Sequence, residues 1–210
     1  MAAIAKNPVY PGAMRRAGLC VCAAALALAG ATVAVAARDG KSPPFVGPRI
    51  AHPSVTPNFA LRDQNGQLVR LSAQRGKVVV LTFLYTHCPD LCPLTAMHVE
   101  AALDRLGARR SGVSVLAVSV DPEGDTPAAV RRFVRTHRLG PQFHYLTASR
   151  NVLAPIWRSY NVTSVKVGGA DPDHTLYVLL LDRSGKSRVL FDAQALPAAI
   201  AHDLRLLRSS

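Results

Sequence analysis

Two cysteines, Cys88 and Cys92, stand four positions apart in the stretch Tyr85-Thr86-His87-Cys88-Pro89-Asp90-Leu91-Cys92-Pro93. The apolar run before them, 78–84, reads as a buried strand. The stretch 94–106 after them reads as a helix, because Leu94, Met97, His98, Ala101, Ala102 and Leu106 recur at helical spacing. On a helix, positions i and i+4 share a face with Cα atoms roughly 6 Å apart, within reach of a disulfide. Two thiolates so placed can equally grip one soft metal ion. A helix N-terminus favours thiolate over thiol at both positions, and Pro89 and Pro93 stiffen the loop.

A metal ion needs further donors, and the chain has seven histidines. His52 lies in a proline-rich stretch. His98, His137 and His202 fall in helical patterns, His144 in a short strand, and His87 beside Cys88 points its side chain away. His174 sits in Gly168-Gly169-Ala170-Asp171-Pro172-Asp173-His174-Thr175, read as a flexible loop that runs into a central strand. Loops at one end of an open α/β sheet converge on one site. From the residues alone His174 reads equally as a ligand and as a satisfied surface histidine. Two thiolates and one imidazole suit copper, above all the cuprous ion with its taste for soft ligands, whereas zinc wants a fourth donor.

The elements that must position these groups are legible as patterns. Phe59 and Leu61, then residues 68–71, flank Asp63-Gln64-Asn65-Gly66, where Asn-Gly tolerates the positive φ of a tight hairpin turn. Residues 113–120 form a second apolar strand that ends at Asp121-Pro122. Thr126-Pro127 opens a helix to His137, with proline in the first turn where its missing donor does no harm. A short strand spans 143–146, a helix carrying Trp157 spans 151–160, and a third apolar strand spans 176–181. The turn Asp182-Arg183-Ser184-Gly185 leads to a strand at 188–191, and Leu196-Pro197 starts a last helix that runs to Leu207. The expected fold class is α/β: a mixed sheet with helices on both faces, opened by an N-terminal hairpin and preceded by one membrane or signal helix.

Composition narrows the setting. The chain has 210 residues, 49% of them hydrophobic, enough for one full core plus an appendage. The net charge of +12 favours acidic partners or an anionic membrane surface. Its basic residues read as scattered pairs rather than a stripe, and with few aromatics to stack bases, nucleic acid is excluded as a partner. Four cysteines in two groups exclude a small disulfide scaffold. Residues 1–16 are basic, and 17–37 form 21 uncharged residues, the length of a membrane anchor or a signal sequence. Basic residues ahead of that run place the body of the chain outside the cytoplasm. Cys20 and Cys22 read as small apolar residues within it. Residues 38–56, with Pro43, Pro44, Pro48 and Pro53, read as an extended tether to a domain at 57–208.

The chain closely resembles the Sco/SenC family of copper chaperones. The resemblance rests on Thr82-Phe83-x-Tyr85-Thr86-x-Cys88-Pro89-Asp90-x-Cys92-Pro93, then Val118-Ser119-Val120-Asp121-Pro122-Glu123-x-Asp125-Thr126-Pro127, then Asp173-His174-Thr175 before a strand. It implies a thioredoxin-like fold held to the bacterial cytoplasmic membrane on its periplasmic side. It implies Cys88, Cys92 and His174 as ligands of one copper ion, Cu(I) or Cu(II), and an apo cytochrome c oxidase subunit as the recipient, with redox gating by the cysteine pair. A thioredoxin-like reductant and a second copper carrier are the further partners expected. Asp90 and Asp121 match acidic positions of the family; from the residues they read as a helix cap and a turn former. Gly124 stands where the family often has a basic residue.

The expectation is a carrier rather than an enzyme. The rival reading is a thiol-disulfide reductase or thiol peroxidase using the same cysteines on the same fold. CxxxC is not the usual CxxC of such oxidoreductases, and such an enzyme has no need of His174. A redox or copper sensor is a third reading.

Overall fold

The computed structural model describes residues 44–165 and 173–209. The expected membrane or signal helix at 17–37 and the glycine-bearing loop at 168–172 lie outside them. Among the described residues no helix is long and apolar enough to cross a membrane.

The centre of the molecule is a five-stranded sheet. Strand β3 (Val78–Leu84) pairs in parallel with β4 (Val113–Ser119), which pairs in parallel with β5 (Phe143–Leu146). On its other side β3 pairs antiparallel with β8 (Tyr177–Leu181), and β8 antiparallel with β9 (Ser187–Asp192), giving the order β5-β4-β3-β8-β9. Every residue of β3 and β4 is buried, so both faces of the sheet are covered, as continuous apolar runs require. Helix α1 (Leu91–Asp104) joins β3 to β4, and α2 (Pro127–Thr136) joins β4 to β5. Helix α3 (Arg150–Ser159) follows β5, and α4 (Pro197–Ser209) closes the chain and packs on α1. This is the mixed α/β architecture that the patterns predict.

The N-terminal hairpin is β1 (Ala60–Arg62) against β2 (Leu68–Arg70). Its turn forms as the residues dictate. Gly66 takes φ +78°, and the Asp63 carboxylate accepts the N–H groups of Asn65 and Gln67 at 2.9 and 3.0 Å.

Three local differences from the sequence reading have physical causes. First, α1 begins at Leu91, not 94. Pro93 occupies its first turn, where its missing donor would be unsatisfied anyway. Second, residues 45–56, the end of the expected tether, are extended but lie along the edge of β9. Arg49 bridges to Val189 and Val55 to Lys186, the Leu190 N–H bonds the Pro48 carbonyl, and the Asp203 carboxylate on α4 accepts the Val46 and Gly47 N–H groups at 2.8 and 2.9 Å. An edge strand with free backbone groups is a template for such pairing. Third, two short strands, β6 (Ser164–Val165) and β7 (Asp173–His174), pair antiparallel before β8, so that Asp173 and His174 are strand residues where the sequence predicts a loop.

Candidate metal centre

Strand β3 ends at Leu84 and feeds the loop 85–90, so Cys88 arrives at the C-terminal edge of the sheet, half-buried, just before α1. Cys92 is the second residue of α1 and fully buried. The two sulfurs therefore do not share a helix face as expected. Instead the Cys92 N–H, one of the donors left over at a helix N-terminus, bonds the Cys88 sulfur at 3.3 Å. Asp90 holds the N-cap position, but its side chain makes no cap bond, so the Cys88 sulfur supplies the acceptor a cap usually provides. Cys88 and Cys92 are both free, with no disulfide between them.

The two thiols differ in acidity. Cys88 is pulled down to about 5 by the donating Cys92 thiol, helped by the backbone N–H groups of Cys92 and Asp90 and by the Tyr85 hydroxyl, against the opposing effect of burial. Cys92 is pushed well above the ordinary thiol range, because ionising it would end its donation to Cys88 and because it is buried. The pair is a thiolate resting on a thiol.

His174 comes on β7, just ahead of β8, the antiparallel neighbour of β3. Its Nε2 lies 3.9 Å from the Cys92 sulfur and 3.3 Å from the Phe83 carbonyl oxygen. The Tyr85 ring meets the imidazole edge-on, with centroids 5.3 Å apart. The three side chains singled out in the sequence thus come to one place. They are not a closed cage: among the described residues no three His, Cys, Asp or Glu side chains are arranged as a preformed metal site. The other histidines lie elsewhere: His98 on the Ala195 carbonyl, His144 on Asp63, His202 on Asp203, and His137 edge-on to Phe133. His87 is exposed, as expected, with Nδ1 3.1 Å from the Thr86 hydroxyl.

Asp125 is the contributor the sequence reading did not single out. Buried beneath the loop, its carboxylate accepts the Thr86 N–H at 2.7 Å, the Ser119 hydroxyl at 2.6 Å and the Tyr145 hydroxyl at 3.0 Å. It ties the cysteine loop to the ends of β4 and β5. Burial pushes its carboxyl above the usual range, opposed by these hydrogen bonds. Its signal was the acid-rich turn 121–125, but only the fold shows that Asp125 braces the loop. Asp121 is a turn former, as read: its carboxylate accepts the Gly124 N–H at 3.1 Å.

The chain is similar to known proteins in both sequence and fold. The curated protein SCO1 homolog 1, mitochondrial, of Arabidopsis thaliana is 35% identical over 130 residues, covering 61% of this chain and 38% of that protein. The chain therefore spans well under half of that relative. Among solved structures, Bradyrhizobium japonicum ScoI with copper bound is 31% identical, with a TM-score of 0.64, covering 72% of this chain and 98% of that one. The apo Sco1 protein of Thermus thermophilus is 30% identical, with a TM-score of 0.67, covering 77% of this chain and 96% of that one. These likenesses bear out the thioredoxin-like fold. The SCO1/SenC family model matches residues 48–208, which takes in the whole sheet, both cysteines and His174, and the chain belongs to that family.

Proposed function

We propose that this protein is a copper carrier that holds one ion between Cys88, Cys92 and His174 and delivers it to the copper A site of cytochrome c oxidase. The observation that carries the reading is the approach of His174 Nε2 to within 3.9 Å of the Cys92 sulfur. An ion at about 2.3 Å from sulfur and about 2.0 Å from nitrogen, with an angle near 120°, holds the two donors about 3.7 Å apart. Small side-chain rotations therefore seat the cargo. Two thiolates and an imidazole are the donor set of a soft, low-coordinate ion. A copper-bound relative at 31% identity supports the same cargo.

Loading asks two changes of the chain. The Cys92 thiol must release its proton, which the positive ion favours by its charge. The imidazole must carry its proton on Nδ1, so that Nε2 gives up the Phe83 carbonyl and takes the ion. Delivery then proceeds by ligand exchange, the recipient's thiolates replacing Cys88 and Cys92 in turn. Loss of two electrons from the pair to an external disulfide would bond the sulfurs to each other and remove both thiolate donors, which is the redox gate. A dithiol reductant of thioredoxin type restores them, and a second carrier supplies copper. The domain works at the outer face of the cytoplasmic membrane.

One observation favours a second reading. A low-pKa, half-exposed thiolate beside a buried thiol is also the equipment of a disulfide reductase. Cys88 would attack a partner disulfide to form a mixed disulfide, and Cys92 would then attack Cys88 and release the partner as a dithiol.

Anaerobic copper titration of the reduced protein separates the two. One copper per chain surviving desalting, with sulfur-to-copper charge-transfer absorption in the cupric form, supports the carrier. No retained copper with both thiols free would sink it and leave the reductase.

A further inference from the structure

Tyr85 lies against all three candidate ligands. It is buried and stands directly after β3, ahead of Cys88 in the same loop. Its ring meets the His174 imidazole edge-on, with centroids 5.3 Å apart and planes 84° from each other. Its hydroxyl faces the Cys88 sulfur, and its N–H faces the Cys92 sulfur. The residue is also firmly mounted. The Leu84 carbonyl before it accepts the Val120 N–H at 3.0 Å, and the Thr86 N–H after it donates to Asp125 at 2.7 Å. These bonds tie the backbone on either side of Tyr85 to the segment that follows β4. A side chain on so rigid a mount can hold other groups in place.

Packing alone does not ask for a tyrosine here. Phe83, two positions earlier, is fully buried beside the Tyr160 and Tyr177 rings, at 5.7 and 5.6 Å between centroids, and fills its place without a side-chain polar atom. A buried hydroxyl costs stability unless it finds a partner, and the one on Tyr85 finds a sulfur of the metal centre. The ring does something separate. His174 Nε2 lies between the Phe83 carbonyl oxygen at 3.3 Å and the Cys92 sulfur at 3.9 Å. An aromatic ring set edge-on against the imidazole restricts its rotation away from that position.

We propose that Tyr85 is the positioning residue of the metal centre: its ring fixes the His174 imidazole so that Nε2 faces the Cys92 sulfur, and its hydroxyl donates to the Cys88 sulfur. The proposal rests on the copper-carrier reading and adds to it a residue that acts through the ligands rather than on the ion. A hydrogen bond to a metal-bound thiolate draws electron density from the sulfur. Charge transfer from that sulfur to cupric ion then takes more energy, and the cuprous state is favoured.

The test compares the full chain, reduced and kept from oxygen, as wild type, Tyr85→Phe, Tyr85→Leu and Tyr160→Phe. The last is a control that loses a buried hydroxyl bonded to the Pro57 carbonyl instead of to a sulfur. In Tyr85→Phe copper is retained, the cupric charge-transfer band moves to longer wavelength and the copper reduction potential falls. In Tyr85→Leu copper affinity falls ~10–100-fold. Proton NMR of the metal-free wild type shows a nuclear Overhauser contact between the Tyr85 and His174 rings, and the His174 ring signals move in Tyr85→Leu but hold in Tyr85→Phe. A band and potential in Tyr85→Phe equal to those of wild type overturn the proposal, as does an equal displacement in Tyr160→Phe. Absence of the ring contact in wild type overturns it too, as do unmoved His174 signals in Tyr85→Leu. Should Tyr85→Leu not fold, the Tyr85→Phe spectrum and the wild-type ring contact decide. Failure of wild type to retain copper sinks the carrier reading instead, and the NMR comparison, made without metal, still decides whether Tyr85 orients His174.

Discussion

The Nε2 of His174 lies 3.9 Å from the Cys92 sulfur, although 82 positions separate the two residues. Strand β3 brings one to the sheet edge through the loop after it, and β7, leading into β8, brings the other. Because β3 and β8 are adjacent antiparallel strands, the end of one and the start of the other lie side by side. If both are ligands, Cys88→Ser and Cys92→Ser abolish copper retention through desalting. His174→Ala should weaken binding at least as much as the ~10–100-fold typical of losing an outer-shell partner, and alter the cupric spectrum, while disulfide formation stays intact. Unchanged affinity and spectrum in that variant would remove His174 from the ligand set.

The inequality of the two thiols has a kinetic consequence. Alkylation of the metal-free protein should modify Cys88 alone, with a rate that rises through a midpoint near 5, while Cys92 stays protected. Cys92→Ala removes the donor that holds Cys88 down most, so the Cys88 midpoint should move up. Mass-spectrometric mapping against pH reads both. A midpoint for Cys88 in the ordinary thiol range in wild type would show that the sulfur is not held as a thiolate.

Asp125 braces the cysteine loop, so Asp125→Ala orphans the Thr86 N–H and the Ser119 and Tyr145 hydroxyls. The expected loss is about 3 kcal/mol, read from the denaturant midpoint. The linkage is also testable. Burial raises the folded-state value of Asp125 above the ordinary 3.8, so the folded protein holds this proton more tightly than the unfolded chain. The associated stabilisation is fully present below the unfolded value and is lost as pH rises through the folded one. Wild type should therefore gain on Asp125→Asn as pH falls from 7 toward 4; a constant gap would show that Asp125 does not titrate there.

Gly124 is held by space rather than by φ. A Cβ there would come 2.9 Å from the Asp121 Cγ and 3.2 Å from the His87 Nδ1. Gly124→Ala should cost about 1–3 kcal/mol, and a basic side chain at this position should require Asp121 to move. Thermal melts of the alanine variant matching wild type would show that the turn yields freely.

The strip along β9 depends on Asp203, which is fully buried and receives two backbone N–H groups from Val46 and Gly47. Asp203→Ala should cost about 2–3 kcal/mol and open residues 44–50 to proteolysis at sub-denaturing conditions. Protection equal to wild type would mean that the strip is held by its pairing with β9 alone.

The strands, helices and hairpin of this protein were legible in its residues because each carries its own periodicity: continuous apolar runs at 78–84 and 113–119, helical spacing after Cys92, and Asn65-Gly66 between short strands. The type and spacing of Cys88 and Cys92, and the motifs shared with the family, pointed to redox or copper chemistry without a structure. What the tertiary structure alone decided are relations between distant segments, which no local pattern encodes. His174 reached the thiols through strand pairing; from its own neighbours it read equally as a surface residue. Cys88 proved to be an acceptor for the Cys92 N–H rather than its partner on a helix face, because Pro93 fits within the first turn and lets α1 start earlier. The residues read as a free tether lie on β9, because an edge strand's open backbone groups and the buried Asp203 carboxylate satisfy them better than solvent does. Asp125 became the brace of the loop for the same reason: a buried carboxylate must find donors, and only the fold brings Thr86, Ser119 and Tyr145 within its reach.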